Sequence, residues 1–330
     1  MREERDEVFV RLTIGRLVVM PLLMAALFTS LRAGWAPTWV AGAVYFAAWG
    51  WLTPPVILML HCTMHRPFMQ RFKRLDKLHP WVMTWLFGIP AGYREHHMGM
   101  HHAEDNMGDD LSSTLRYQRD SFLHFLAYFF RFFFLTLFTL PAYLFRKGRN
   151  KQGRRAVVGE LLHMALIALA LGLEWRFGLI AFLLPFVVCR FMMMAGNWGQ
   201  HAFINTSRKN NGIANSITCI NSGYNRRCFN DGYHIGHHMK ASRHWSELPG
   251  DFLANREAYA KAGAIVFEGL DFFLVSFLLW TKQYRTLAKR FVRLDGAHRS
   301  DAEVIALLKE RVKPVQAWEV EGMGATQVAA

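Results

Sequence analysis

Residues 39–65 read WVAGAVYFAAWGWLTPPVILMLHCTMH, an uncharged run whose last five positions place two histidines four apart. About 20 apolar residues cross the hydrocarbon core of a bilayer, so Trp39 to Leu60 reads as a spanning helix with His61 and His65 at its end. On a helix, residues four apart share a face, and two imidazoles so placed can aim at one point. The first expectation is a membrane helix that delivers a pair of metal ligands to the bilayer surface.

The flanking sequence extends that pattern. Leu17 to Leu31 qualifies as a span with its flanks, and a charge-poor loop near Arg32 joins it to Trp39–Leu60. Beyond His65 the chain is basic as far as Lys77. Trp81 to Ala91 is apolar but short, and Gly88 and Pro90 mark it as interfacial or re-entrant. Gly92 to Asp120 is polar. Ser121 to Phe145 is Phe-rich but holds His124 and Arg131, and Arg146 to Arg155 is strongly basic. Val157 to Leu173 and Gly178 to Ala195 are further apolar runs, separated by Glu174-Trp175-Arg176. Later sequence is largely polar. Its exception, Ala262 to Trp280, carries Glu268 and Asp271 and reads as an amphipathic helix lying on the membrane. Ala302 to Val312 reads as a short helix. Residues 1–312 are expected to form one membrane domain, and residues 313–330 a mobile tail.

The loops give sidedness. Arg66–Lys77 and Arg146–Arg155 are both basic, so both belong on the cytosolic side. Ser121–Phe145 must then cross the bilayer an even number of times, most simply none, as an interfacial helix. The expected fold is all-α integral membrane: four transmembrane helices in two hairpins, interfacial amphipathic helices and a cytosolic histidine-rich cap. The start, MREERDEVFVRLTIGR, carries both signs of charge and shows no cleavable signal. A multi-pass protein of a bacterial inner membrane is expected.

Composition agrees. Apolar residues make up 52 % of the 330, and there are 27 Phe, 16 Met and 11 Trp, more large apolar surface than a soluble fold of this size buries. Mean hydropathy is only +0.09, because charge is segregated into separate blocks. The net charge of +14 comes without zinc-finger spacing or an RNP-like aromatic motif, so nucleic acid is not the expected partner. Anionic lipid headgroups or an acidic electron-transfer protein suit the same surface. Cys62, Cys189, Cys219 and Cys228 form no CxxC pair and read as reduced small hydrophobes.

Four histidine clusters carry the chemistry. They are His61-x3-His65, then Glu95-His96-His97-x3-His101-His102, then Asn197-x3-His201, and last His234-x2-His237-His238. Imidazole suits Fe, Zn and Cu rather than Mg or Ca. Nine clustered histidines with Asn197 make ten groups, where a tetrahedral zinc site uses about four, so two metal ions are expected. Ionisable groups beside membrane spans are usually functional. His79, His124, His163 and His298 stand alone and read as surface, interfacial or hydrogen-bonded core residues. His96 competes with His97 for a place in the second cluster, and His244 is a candidate for supporting a ligand or contacting a headgroup.

These clusters resemble the histidine boxes of the membrane fatty acid desaturase and hydroxylase superfamily: HxxxH, HxxxHH or HxxHH, and a late HxxHH. The match runs from about His61 to Leu248. Asn197-x3-His201 is similar to the extra element that stearoyl-CoA desaturases place before their last box. The resemblance implies that His61, His65, His97, His101, His102, His201, His234, His237 and His238 bind two irons, with Asn197 acting directly or through a water and O2 as co-substrate. Asp231, three before the last box, and Glu95 are the expected supports that orient the imidazoles. Asp105, Asp109 and Asp110 are also near enough, and serve equally well as loop charges or helix caps. The second box, with three intervening residues, is of the kind commoner in bacterial desaturases and alkane hydroxylases, and Glu95-His-x-x-Gly is similar to the latter. No fused cytochrome b5 signature is present, so electrons should come from a separate ferredoxin or cytochrome b5 with its reductase.

The implied activity is desaturation of a long-chain fatty acyl substrate held in a dry apolar tunnel lined by the second and fourth spans. Met193, with Met192 and Met194, is a candidate tunnel residue, and Arg226 and Arg227 are candidates for a carboxylate or phosphate headgroup. The same irons could instead hydroxylate the chain or decarboxylate it to a terminal alkene. A membrane metal carrier or haem-binding subunit is the reading outside enzymology; a carrier would place polar ligands near the midplane, whereas these histidines stand at span ends.

Overall fold

A computed structural model describes residues 2–205, 212–294 and 299–316. His298 and the tail from residue 317 lie outside the described residues. The fold is an all-α membrane fold with one small sheet. Among the described residues, five helices are long and apolar enough to cross a membrane: Glu4–Ala33, Thr38–His65, Phe122–Arg146, Asn150–Leu173 and Trp175–Gln200. Thr38–His65 carries His61 and His65 on its last turns, because no charge or helix breaker intervenes after Leu60. The chain is arranged as two compact units: residues 1–95 with 145–191, and residues 96–144 with those from 192 onward.

The first unit is built from two hairpins. Gly34, in the left-handed conformation at φ 67°, ends the first helix by donating to Ser30 O, and Pro37 starts the next. The second hairpin turns on Glu174, whose side chain accepts from Phe177 N at 2.6 Å. The two tips lie side by side, since Arg176 donates to Leu31 O at 3.1 Å and the Phe28 and Phe177 rings stand 5.3 Å apart. Trp35, Trp39 and Trp175 are all exposed at these tips, as an aromatic belt at one membrane face requires. Both hairpins therefore turn at the same level, which the charge-poor loops led one to expect.

Lys73–Phe87 starts with exposed charges and ends buried at Phe87. Its last carbonyl, Phe87 O, lies among spans where water cannot serve it. Trp49 Nε1 donates to that oxygen at 3.1 Å and Cys189 Sγ at 3.4 Å. Gly88 then takes φ 78°, and a Cβ there would lie 2.6 Å from the backbone of Pro185. A buried Arg190 and a half-buried Glu160 also pair in this unit. Arg190 donates to Glu160 at 2.6 Å and lies over the Phe186 ring, and Gly92 N donates to the other Glu160 oxygen at 3.0 Å.

The second unit holds most of Phe122–Arg146, the end of Leu184–Gln200 and the polar part of the chain. Phe122–Arg146 has the length of a span, where the loop charges favoured an interfacial helix. Phe125, Tyr128, Phe129, Tyr143 and Leu144 face inward, while Leu123, Phe134 and Phe138 are exposed. Strand β1 (Ile217–Ile220) pairs in parallel with β2 (Ile265–Glu268), Cys219 opposite Phe267. A core of Phe203, Phe267, Phe272, Leu279, Leu287 and Leu308 gathers the helices Phe272–Trp280, Tyr284–Arg290 and Asp301–Arg311 around that sheet.

An amphipathic helix over Ala262–Trp280 does not form. The segment contains β2 and then a short helix with Val275 and Leu279 fully buried. Its two acids serve local ends rather than a polar face. Asp271 caps the helix by accepting from Leu274 N at 2.9 Å, and Glu268 ends β2, where Asn221 Nδ2 donates to it at 2.8 Å.

Arg119 ties this unit together. It is fully buried and gives its protons to main-chain carbonyls alone: Ala202 O at 2.9 Å, Thr114 O at 3.1 Å, Leu115 O at 3.0 Å, Tyr117 O at 3.2 Å, Arg311 O at 3.0 Å, and Lys313 O. Three segments far apart in sequence thus share one guanidinium.

Gly88 gives a test of the first unit. Gly88→Ala adds both left-handed strain and a clash with backbone that cannot step aside. It should cost about 2–4 kcal/mol, read as a fall in the thermal midpoint of the detergent-solubilised protein. Gly50→Ala, at a helical site with open space, should leave the midpoint nearly unchanged.

Candidate metal centre

Seven of the nine clustered histidines lie in the second unit and come from three short segments. Residues 93–104 wind as helix, but His97–His101 is a π-turn: His102 N donates to His97 O, five residues back. The α-helical reading of H-x3-H-H put His97 with His101 and His102 further round. The wider turn changes the pairing. His97 and His102 now share a side, Nε2 to Nε2 at 3.0 Å, while His101 turns to another group. The second segment is the end of Leu184–Gln200, which delivers His201. The third is the helix His234–Met239, where His234 and His238 share a face and His237 points elsewhere.

Two groups result. His97, His102 and His237 have ring nitrogens within 4.8 Å of one another, and His102 Nε2 stands 3.0 Å from Nε2 of both neighbours. His101, His201, His234 and His238 form the second group within the same limit, with His234 Nε2 3.0 Å from His238 Nε2. Two imidazole nitrogens each about 2.1 Å from a shared ion at a right angle stand about 3.0 Å apart. The spacing therefore fits ligands around an ion with more than four ligands. In the first unit, His61 and His65 lie together at the end of Thr38–His65, their rings 5.5 Å apart.

What aims the second group is the other ring nitrogen. His101 Nδ1 lies 2.7 Å from Asp110 Oδ2, His238 Nδ1 lies 3.0 Å from Asp105 Oδ1, and His201 Nδ1 lies 2.7 Å from Asn215 O. Carboxylate and carbonyl oxygens only accept, so each Nδ1 carries the hydrogen. The neutral ring then holds its lone pair at Nε2, where a metal can take it. His201 Nε2 is fully buried and has no hydrogen-bond partner, a lone pair that nothing else in the protein uses. A buried nitrogen without a partner, set among three other imidazoles, suits a transition-metal ion.

Electrostatics follow from this arrangement. Burial lowers His201 to about 3, with the charges of His101 and His238 acting the same way, so it stays neutral and ligand-competent at physiological pH. Burial works to raise Asp110, but His101 and Ser112 outweigh it and hold the carboxyl well below the usual range. Asp105 is likewise lowered, against its own burial, by His238 and Asn215. Burial lowers His101, yet Asp110 prevails and raises it, so an ion bound at its Nε2 would have to displace a proton there.

The remaining candidates are placed as follows. Asn197 donates through Nδ2 to Ser112 O at 3.0 Å and to Tyr128 Oη at 2.7 Å, leaving its carbonyl oxygen to accept or to ligate. Asp231 accepts from Tyr224 Oη at 2.9 Å. Glu95, in the first unit, lies 3.4 Å from Arg155; burial raises its carboxyl against that charge. Asp110 caps a turn, accepting from Ser112 N at 2.7 Å and Ser112 Oγ at 2.6 Å, and no helix starts at Leu111. Asp109 is exposed. His96 stacks on His101, 6.2 Å away and nearly parallel, one π-turn along. His244 accepts from Ser246 N at 3.2 Å, and His79 lies 2.9 Å from Thr13 Oγ1. Arg226 is exposed on the helix Gly223–Arg227, Arg227 is half-buried beside it, and Met193 is half-buried.

Sequence reasoning missed Asn215, Thr114 and Tyr128. Thr114 Oγ1 donates to His201 O at 2.8 Å, and Tyr128 anchors Asn197. None carries a spacing signal. Asn215 acts on His201 through its backbone, and Tyr128 is one aromatic in a helix full of them.

Removing Asp110 should free His101 to rotate and to change tautomer. Asp110→Ala should weaken binding at the four-histidine group by about 10–100-fold, measured by anaerobic Fe2+ or Co2+ titration of chelator-stripped protein.

A sequence profile described as fatty acid desaturase matches residues 33–269. No curated protein and no solved structure matches the chain.

Proposed function

The chain belongs to the fatty acid desaturase family, and from that premise we propose that it is a membrane-bound, O2-dependent di-iron enzyme that desaturates a long-chain fatty acyl substrate. The observation that carries this reading is the lone pair of His201 Nε2, buried, unshared and belonging to a group of four imidazoles that each offer a ring nitrogen within 4.8 Å of the others. Family membership supplies the rest of the ligand set. His61 and His65 would join His97, His102 and His237 on one ion; His101, His201, His234 and His238 would hold the other, with the Asn197 carbonyl acting directly or through a water.

Two irons bound there supply O2 activation and the removal of hydrogen from an unactivated methylene. The chain's own work is positioning. Asp110, Asp105 and Asn215 O keep three imidazoles in the ligating tautomer. Ser112 and Tyr128 hold the Asn197 amide by both its hydrogens, so its oxygen keeps one direction. The ligand rings of the second unit are buried or nearly so, which keeps bulk water from the ions. Met193 is proposed beside the acyl chain, and Arg226 and Arg227 beside an anionic headgroup. Asp231 and Glu95 are proposed as further carboxylates supporting the site.

The proposed location is a bacterial inner membrane with the site on the cytosolic face, a reading supported for the face by the basic loops Arg66–Lys77 and Arg146–Arg155. Electrons would come from a ferredoxin or a cytochrome b5 type protein with its reductase.

Cells expressing the protein, fed defined C12 to C18 fatty acids, should accumulate an alkene of unchanged carbon number, identified by gas chromatography. His237→Ala should abolish it. A product with one added oxygen would make the enzyme a hydroxylase, and a terminal alkene one carbon shorter a decarboxylase. Purified protein should carry about two irons per chain without a haem Soret band; a Soret band, or no metal at all, would overturn the reading.

A further inference from the structure

Asn215 stands between two ligand imidazoles that belong to different histidine boxes. Its carbonyl accepts from His201 Nδ1 at 2.7 Å, and its Nδ2 donates to Asp105 Oδ2 at 3.2 Å. The other oxygen of Asp105 accepts from His238 Nδ1 at 3.0 Å. Asp105 is also fastened to the second box, because its own N–H donates to His101 O at 2.7 Å. We infer that Asn215 is a positioning residue that locks His201 and His238 to one another through Asp105, so that two rings of the four-histidine group are set by one strut. This inference rests on the metal reading above.

Three observations support a strut rather than an incidental contact. All four residues are buried: His201 at 0 %, Asp105 at 6 %, Asn215 at 7 % and His238 at 9 % exposure. Water therefore does not compete for these bonds. Asp105 and Asn106 both hold left-handed backbone, φ 47° and 61°, a conformation that persists only where surrounding bonds over-determine it. Those bonds are present: Asn106 Oδ1 accepts from Thr114 N at 2.9 Å, and Thr114 Oγ1 donates to His201 O at 2.8 Å, closing a loop back to the ligand. The direction of the Asn215 amide is fixed by chemistry, since the Asp105 carboxylate can only accept.

Asn215→Leu tests the strut. Leucine keeps nearly the volume and leaves the backbone carbonyl on His201, but removes the donor that steadies Asp105. In anaerobic Fe2+ titration of chelator-stripped protein, one of the two ions should bind about 10–100-fold more weakly while the other is unchanged. If Asn215 acts through Asp105, adding Asn215→Leu to Asp105→Asn should cost little more than Asp105→Asn alone. A metal-free readout stands beside these: diethyl pyrocarbonate should modify His238 several-fold faster in Asn215→Leu, mapped by peptide mass spectrometry, with circular dichroism showing the fold intact. Unchanged affinity and reactivity, or fully additive losses, would overturn the strut. Wild-type protein that takes up no iron would instead sink the metal reading, and the reactivity measurement would still decide whether Asn215 steadies His238.

Discussion

Three hydrogen bonds on the far side of the imidazoles make this centre possible. A histidine ring offers a lone pair at one nitrogen only while its other nitrogen keeps a hydrogen, and a free ring exchanges the two. Here the exchange is stopped by oxygens that can only accept: Asp110 behind His101, Asp105 behind His238, and the Asn215 carbonyl behind His201. A set of neighbouring bonds keeps those oxygens still. Asn106 N, in the left-handed turn with Asp105, and Ser112 N and Oγ donate to Asp110, while Thr114 joins Asn106 to His201 O and Tyr128 Oη donates to Ser112 O. The cost of burying two carboxylates is met because each has a full set of donors.

The family and the membrane character were legible because both are written in side-chain identity along the chain. Uncharged runs of span length and histidines at fixed intervals survive whatever the tertiary structure does with them. The pairing of imidazoles was not legible. A π-turn differs from an α-turn by one hydrogen-bond step, and no periodicity in His97-Met-Gly-Met-His101-His102 records it. Ala262–Trp280 misled for a related reason. Glu268 and Asp271 have a helical spacing, but one closes a strand and the other caps a short helix, so the apparent polar face came from two unrelated local needs. Asn215 gave no signal, because half its work is done by a main-chain oxygen that every residue possesses.

The first unit shows how irregular backbone is tolerated among spans. The chain after Phe87 stops being helical where water is absent, and side chains from neighbouring helices answer two of the polar groups it frees: Trp49 and Cys189 for Phe87 O, Glu160 for Gly92 N. The Glu160–Arg190 pair is part of this service. An acid placed to accept from Gly92 needs its own counter-charge in apolar surroundings, and Arg190 supplies it at 2.6 Å.

Arg119 has a different consequence. A carboxylate partner would let a guanidinium leave with its counter-charge, but this one is bound only to neutral main-chain oxygens. If either the Thr114–Tyr117 loop, the stretch after His201 or the end of Asp301–Arg311 lets go, a permanent positive charge is stranded in a dry interior. The three must therefore melt together, and a protease cut behind Leu308 would be felt at a histidine more than a hundred positions upstream.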